Sequence, residues 1–192
     1  MKKNTFPFDL AASIEMLVLD VDGVLTDGRI TIDNSGLELK NFHVRDGHGI
    51  KLLQRAGVIV SILTGRKSEI VKHRAAELGI THIIQGCKNK AEGVQQLSII
   101  ADVATNHCAM MGDDIVDIPA MQLCNLALAP SDAHVAVRNH VHWFSRHRGG
   151  HGAVRQVCEG LILARQQWQA VIGEPYGLSP TDCGWGSTTE LR

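Results

Sequence analysis

The sequence has no run approaching the roughly 18 apolar residues that a membrane span needs, which argues against an integral membrane protein. It also lacks any Cys-x-x-Cys pair, and its five cysteines, Cys87, Cys108, Cys124, Cys158 and Cys183, are odd in number. That usage is expected of reduced thiols in a cytoplasmic protein, and excludes a disulfide framework or a cysteine zinc site. Net charge is nearly absent, at −1 from 19 basic and 20 acidic residues. No global field therefore favours nucleic acid or an anionic membrane surface as a partner. Residues 1–12 carry two lysines but also Pro7 and Asp9, and no apolar stretch, so they do not read as a signal peptide. No internal repeat is present.

What is present is an ordinary globular composition, 44% apolar and 20% charged over 192 residues, enough for one domain with a full core. A single domain is expected over residues 1–172. Residues 173–192 hold Gly173, Pro175, Gly177, Pro180, Gly184 and Gly186, and are expected to be a flexible tail.

The stretch 16–26 dominates the chain. Met16-Leu17-Val18-Leu19 runs straight into Asp20-Val21-Asp22-Gly23. A short apolar run that ends in turn residues predicts a strand buried on both faces. Further such strands are expected over 58–63, 81–84, 108–111 and 125–129, with a short one near 142–144. Helices are expected over 48–56, 68–78, 90–100, 118–123, 133–139 and 153–168. The alternation predicts an α/β fold with a doubly wound parallel sheet. Alternating residues over 29–32 and 37–44, around the turn tetrad Asp33-Asn34-Ser35-Gly36, predict a β-hairpin.

In a parallel sheet the carboxyl ends of all strands lie along one edge, where ligands bind. Asp20 and Asp22 end the first strand, Thr64 ends the second, Lys90 opens a helix, and Gly112-Asp113-Asp114-Ile115-Val116-Asp117 follows the strand at 108–111. This set of acids, one hydroxyl, glycine-flanked N–H groups and a lysine suits phosphoryl transfer. Clustered carboxylates bind Mg²⁺, the hydroxyl and lysine hold phosphate oxygens, and a carboxylate can act as the covalent nucleophile. Lys88 competes with Lys90 for the lysine's role, and Asp117 has the simpler reading of a helix cap.

The ordered set Asp20-x-Asp22-Gly23-x-x-Thr26, Thr64, Lys90 and Gly112-Asp113-Asp114-x-x-Asp117 resembles the haloacid dehalogenase superfamily. Gly36 to Lys40, Val44 to Ile50, Thr64 to Ser68, Gln85-Gly86, Asp132 to His134 and Gly149 to Arg155 are similar to its branch of minimal-cap phosphatases acting on 3-deoxy-D-manno-octulosonate 8-phosphate. The likeness spans residues 15–165. It implies a Rossmann-like core with a small hairpin insertion in place of a cap domain, Mg²⁺ as cofactor, and an aspartyl-phosphate intermediate. It also implies a cytoplasmic homotetramer whose neighbouring subunit roofs the site, and a product destined for lipopolysaccharide.

The same resemblance implies roles. Asp20 is the nucleophile and a metal ligand, and Asp22 the general acid/base that lends the metal its backbone carbonyl. Asp113 is the other ligand, supported by Asp114 and Asp117, while Thr64 and Lys90, in preference to Lys88, hold phosphate. His43, Val44, Arg45, Asp46, Gly47, Lys51, Gly65, Arg66 and Arg74 match substrate-binding positions. The sequence departs from the pattern at His43, usually asparagine, at His151, usually arginine, and at Gln156, usually glutamate. Two other readings compete. One is the same chemistry on another sugar-acid phosphate, such as a nonulosonate 9-phosphate. The other is a phospho-acceptor signalling domain, although such modules place their acidic pair and their phospho-acceptor on different strands.

Overall fold

The run Met16–Leu19 forms a strand with every residue buried. Its side chains alternate between two cores: Leu17 and Leu19 pack on one side of a sheet, Met16 and Val18 on the other. This two-sided burial explains why the strand reads as a continuous apolar run. A computed structural model describes residues 5–186.

In chain order the elements are α1 (Phe8–Ala11), β1 (Met16–Leu19), β2 (Thr31–Ile32), β3 (Glu38–Leu39), α2 (Val44–Arg55), β4 (Ile59–Thr64), α3 (Glu69–Leu78) and β5 (His82–Gln85). There follow α4 (Lys90–Ala101), β6 (Cys108–Met111), α5 (Ile118–Met121), β7 (Leu126–Ala129), β8 (Trp143–Phe144), α6 (Ala153–Ala164) and α7 (Glu174–Tyr176). Six strands make one parallel sheet in the order β5-β4-β1-β6-β7-β8, and β2 pairs with β3 as a separate antiparallel hairpin. The chain winds outward from β1 through β4 to β5, then crosses back to β6 and winds the other way. The carboxyl end of β1 therefore lies where the winding reverses, the crevice that binds ligands in such sheets.

Helices cover both faces, and α1, α2, α3 and α6 share the larger core. The other face is covered by α4, α5 and Val137 of a 3₁₀ turn over Val135–Asn139, where the sequence predicts an α-helix. Two other elements differ from expectation. The helix α2 starts at Val44, not at 48, because His43 caps it: its Nδ1 accepts from the Arg45 N–H at 3.3 Å. The hairpin pairs only two residues on each strand.

The expected flexible tail starts at residue 173, and in this structure its described part, residues 173–186, lies against the core. Trp185 is buried, with its ring 5.5 Å from Phe6 in an edge contact and 6.5 Å from Trp143 in a stack. Its indole N–H donates to Glu159 at 3.0 Å. An aromatic anchor outweighs the flexibility that glycine and proline suggest, because burying one such ring offsets the entropy of several ordered residues. Residues 187–192 of that expectation lie outside the described residues. Trp185→Ala is expected to cost about 3 kcal/mol of unfolding free energy, read as a lower urea midpoint at unchanged slope. A midpoint equal to that of the parent protein would show that the tail does not anchor there.

Candidate active site

The chain after β1 turns sharply. The Val21 carbonyl accepts from the backbone N–H groups of Leu25 and Thr26 at 2.9 and 3.0 Å, and the Thr26 hydroxyl donates to it at 3.3 Å. Gly23 adopts φ +87°, and a Cβ there would collide with the Asp113 carboxylate. Glycine is thus required twice, for the positive φ and for the approach of β6's terminal acid.

Asp20, Asp22, Thr64, Gly65, Arg66, Lys88, Lys90, Asp113 and Asp114 line one cavity of about 530 Å³ at this edge. Oxygen atoms of Asp20, Asp113 and Asp117 lie within 4.8 Å of one another. Between two of these acids stands Lys90, which opens α4 and so places an ammonium against the positive end of a helix. Its position is stabilised by the acids: Nζ is 2.9 Å from Asp20 Oδ2 and pairs also with Asp117 Oδ1. The exposed Lys88 only lines the rim.

Asp117 is fully buried, and its second oxygen accepts the backbone N–H groups of Asp113 and Asp114 at 3.0 and 3.1 Å. It therefore shapes the loop and anchors Lys90, more than the helix cap that its position suggests. Asp114 points elsewhere: Oδ1 accepts from the Ile115 N–H at 2.7 Å, and its side chain does not join the acidic cluster. The Asp113 carboxylate accepts no hydrogen bond among the described residues. Asp22 pairs with Lys40 of the hairpin, and Arg66 Nε stands 3.8 Å away. Lys40 also lies 3.4 Å from Glu38, which takes Arg66 Nη2 at 2.5 Å. Lys40 was given no role from the sequence. Its one signal was a lysine closing the hairpin motif Gly36 to Lys40.

Burial raises Asp20 to about 6 despite the nearby Lys90 charge. Burial, then the charges of Asp20 and Asp117, raise Asp113 to about 7. Burial disfavours the charge on Lys90, yet Asp20 and Asp117 win and its pKa rises. Three carboxylates against one ammonium leave a surplus of negative charge in a buried space. A hard divalent cation with oxygen ligands fits this donor set.

Several expected substrate contacts fall outside this cavity. Asp46 is buried and caps α6, accepting from the Gly152 and Arg155 N–H groups at 3.1 and 2.7 Å, so its carboxylate is already used. Gly47 is a packing position, since a Cβ there would strike the Arg74 guanidinium. Lys51 lies beside Gly79, at the end of α3 away from the strand carboxyl edge. Val44 and Arg74 line a separate groove with Phe42, over whose ring the guanidinium sits at 5.7 Å. His43 serves as the cap of α2, and Arg45 lines another cavity with Arg146 and Arg155. Of the substrate set, only Gly65, Arg66 and Lys90 share the acidic cavity.

A doubly wound sheet with paired acids after its first strand, a lysine at a helix start and further acids after the fourth parallel strand defines a haloacid dehalogenase-like hydrolase. A family model described as haloacid dehalogenase-like hydrolase matches residues 46–125. The chain is 43% identical over 164 residues to the 3-deoxy-D-manno-octulosonate 8-phosphate phosphatase KdsC of Escherichia coli strain K12, covering 85% of this chain and 87% of that protein. A solved structure of the phosphatase of that name from Moraxella catarrhalis, in complex with magnesium ion, phosphate ion and KDO, superposes with TM-score 0.84 at 36% identity, covering 87% and 96% of the two chains. The cobalt-bound deoxy-D-mannose-octulosonate 8-phosphate phosphatase YrbI from Haemophilus influenzae gives TM-score 0.83 at 36% identity, over 88% and 99%. The chain belongs to the KdsC phosphatase family of haloacid dehalogenase-like hydrolases.

The raised carboxyl groups set a pH dependence. Folded Asp20 and Asp113 titrate near 6 and 7, above their ordinary value of 3.8. The metal-free folded protein thus holds more protons than the unfolded chain, and loses stability as pH rises from about 4 to about 7. A cation must displace those protons. Mg²⁺ affinity measured by calorimetry is expected to rise from about pH 5.5 to about pH 7.5. An affinity flat across that range would contradict the assignment.

Proposed function

We propose that the chain is a Mg²⁺-dependent phosphoric monoester hydrolase that converts 3-deoxy-D-manno-octulosonate 8-phosphate to the free sugar acid and phosphate. The observation that carries this reading is the Asp20–Lys90–Asp113–Asp117 cluster at the switch point of the sheet, in a chain 43% identical to a phosphatase of that name. Asp20 and Asp113, with the Asp22 backbone carbonyl, would hold the metal, while Asp117 and Asp114 order the loop behind it. When bound, Mg²⁺ neutralises phosphate charge so that an anionic nucleophile can approach.

The Asp20 carboxylate attacks phosphorus, and the bond to the sugar oxygen breaks as Asp22 gives that oxygen its proton. The resulting aspartyl-phosphate is cleaved by a water whose proton returns to Asp22, releasing phosphate and restoring both carboxyl groups. Thr64 and Lys90 hold the phosphate oxygens as charge shifts. Arg66 at the cavity wall places a guanidinium, held by Glu38, where it can attract the sugar acid's carboxylate.

We infer a homotetramer in which a neighbouring copy closes the site. The hairpin supports this: Ile30, Ile32, Leu37 and Leu39 are 54–60% exposed on or beside strands too short to stand alone. In that assembly Val44 and Arg74, outside their own chain's acidic cavity, would serve a neighbour's substrate. Among the described residues no helix is long and apolar enough to cross a membrane. Cytoplasmic residence accords with a charged sugar phosphate, which does not cross a bilayer unaided.

The test is phosphate release from a panel of the octulosonate 8-phosphate, a nonulosonate 9-phosphate and hexose phosphates with Mg²⁺. The eight-carbon substrate is expected to dominate in kcat/KM, and Asp20→Asn to lower kcat by about 10⁴-fold or more. Equal turnover of hexose phosphates would refute the substrate, and an active Asp20→Asn the nucleophile.

A further inference from the structure

A second cavity of about 400 Å³ lies between the start of α2, the loop after β8, the start of α6 and the tail. Arg45, Arg146 and Arg155 line it, with His147 beside them and Glu159 as its acid. Much of this basic charge is uncommitted. Arg155 gives Nε to Glu159 at 2.5 Å and Nη1 to His48 at 3.1 Å, leaving Nη2 without a partner among the described residues. Among the described residues the Arg146 guanidinium spends only Nη2, on the Gly184 carbonyl at 2.8 Å. The Arg45 guanidinium has no ion pair among the described residues. Glu159 also accepts from Trp185 at 3.0 Å, so its charge is shared and cannot neutralise three guanidinium groups. No residue of this cavity belongs to the acidic cavity around Asp20.

We propose that this cavity is a second ligand site, for a small oxyanion bearing two negatively charged oxygens, of the phosphate or dicarboxylate kind. Guanidinium forks bind such groups bidentately, and three of them line this one concave wall, with Arg45 and Arg146 exposed and open to a ligand. The tail is part of the site, because Gly184 fixes Arg146 while Trp185 fixes Glu159. The same loop reaches the catalytic turn: Gly150 N–H donates to the Val24 carbonyl at 2.9 Å, and a Cβ on Gly149 would strike the Gly23 carbonyl. The loop of residues 146–152 therefore borders both this cavity and the turn that carries Asp22.

The test is calorimetric titration of the Mg²⁺-loaded protein with sulfate, standing for phosphate groups, and separately with malonate, standing for dicarboxylates. Saturable binding of at least one is expected, weakened about tenfold or more by Arg146→Ala. Arg45→Ala, which leaves the Gly184 contact in place, is expected to weaken the same anion and keeps the test valid if Arg146→Ala unfolds the tail. The anion that saturates identifies the class. Absence of saturation by both anions, or binding that both variants leave unchanged and so belongs to the catalytic cavity, would overturn the proposal.

Discussion

Three carboxylates share one ammonium in the space beyond β1 and β6, and most of the architecture follows from making that tolerable. Buried like charges repel strongly unless something of opposite sign stands among them. Lys90 supplies one positive charge, and does so from a helix start that would otherwise reject it. Asp117 is held by two backbone N–H groups besides the lysine. Burial raises the pKa values of Asp20 and Asp113, with neighbouring carboxylates adding to both shifts. Gly23 has no side chain because Asp113 occupies the place where one would be.

The hairpin acts on the other carboxylate. Lys40 and Arg66 stand around Asp22 and meet at Glu38, so the insertion is tied by charge to the group expected to move the proton. With only a hairpin over it, the acidic cavity stays open in one chain. Its apolar hairpin side chains are exposed.

The sheet, its two-sided burial and the catalytic edge were legible because they depend on local signals: apolar runs of strand length, acids directly after them, and glycines at the turns. Lys90 was separable from Lys88 only by resemblance, and the structure distinguishes them by burial. Sequence does not reveal that α6, more than a hundred residues after Asp46, lends that carboxylate two N–H groups. Helix phase alone does not say that Lys51 reaches the Gly79 end of α3. The glycines and prolines of the tail carry no signal of the distant aromatic cluster that Trp185 joins. Lys40 escaped assignment because its partner lies eighteen residues earlier across a hairpin.

The most direct measurement is anomalous diffraction from crystals grown with Mn²⁺ in place of Mg²⁺. A single strong peak bridging the Asp20 and Asp113 carboxylates is predicted, with Lys90 retained against Asp117. Density for the ion elsewhere, or the two carboxylates turned apart with no ion between them, would contradict the account.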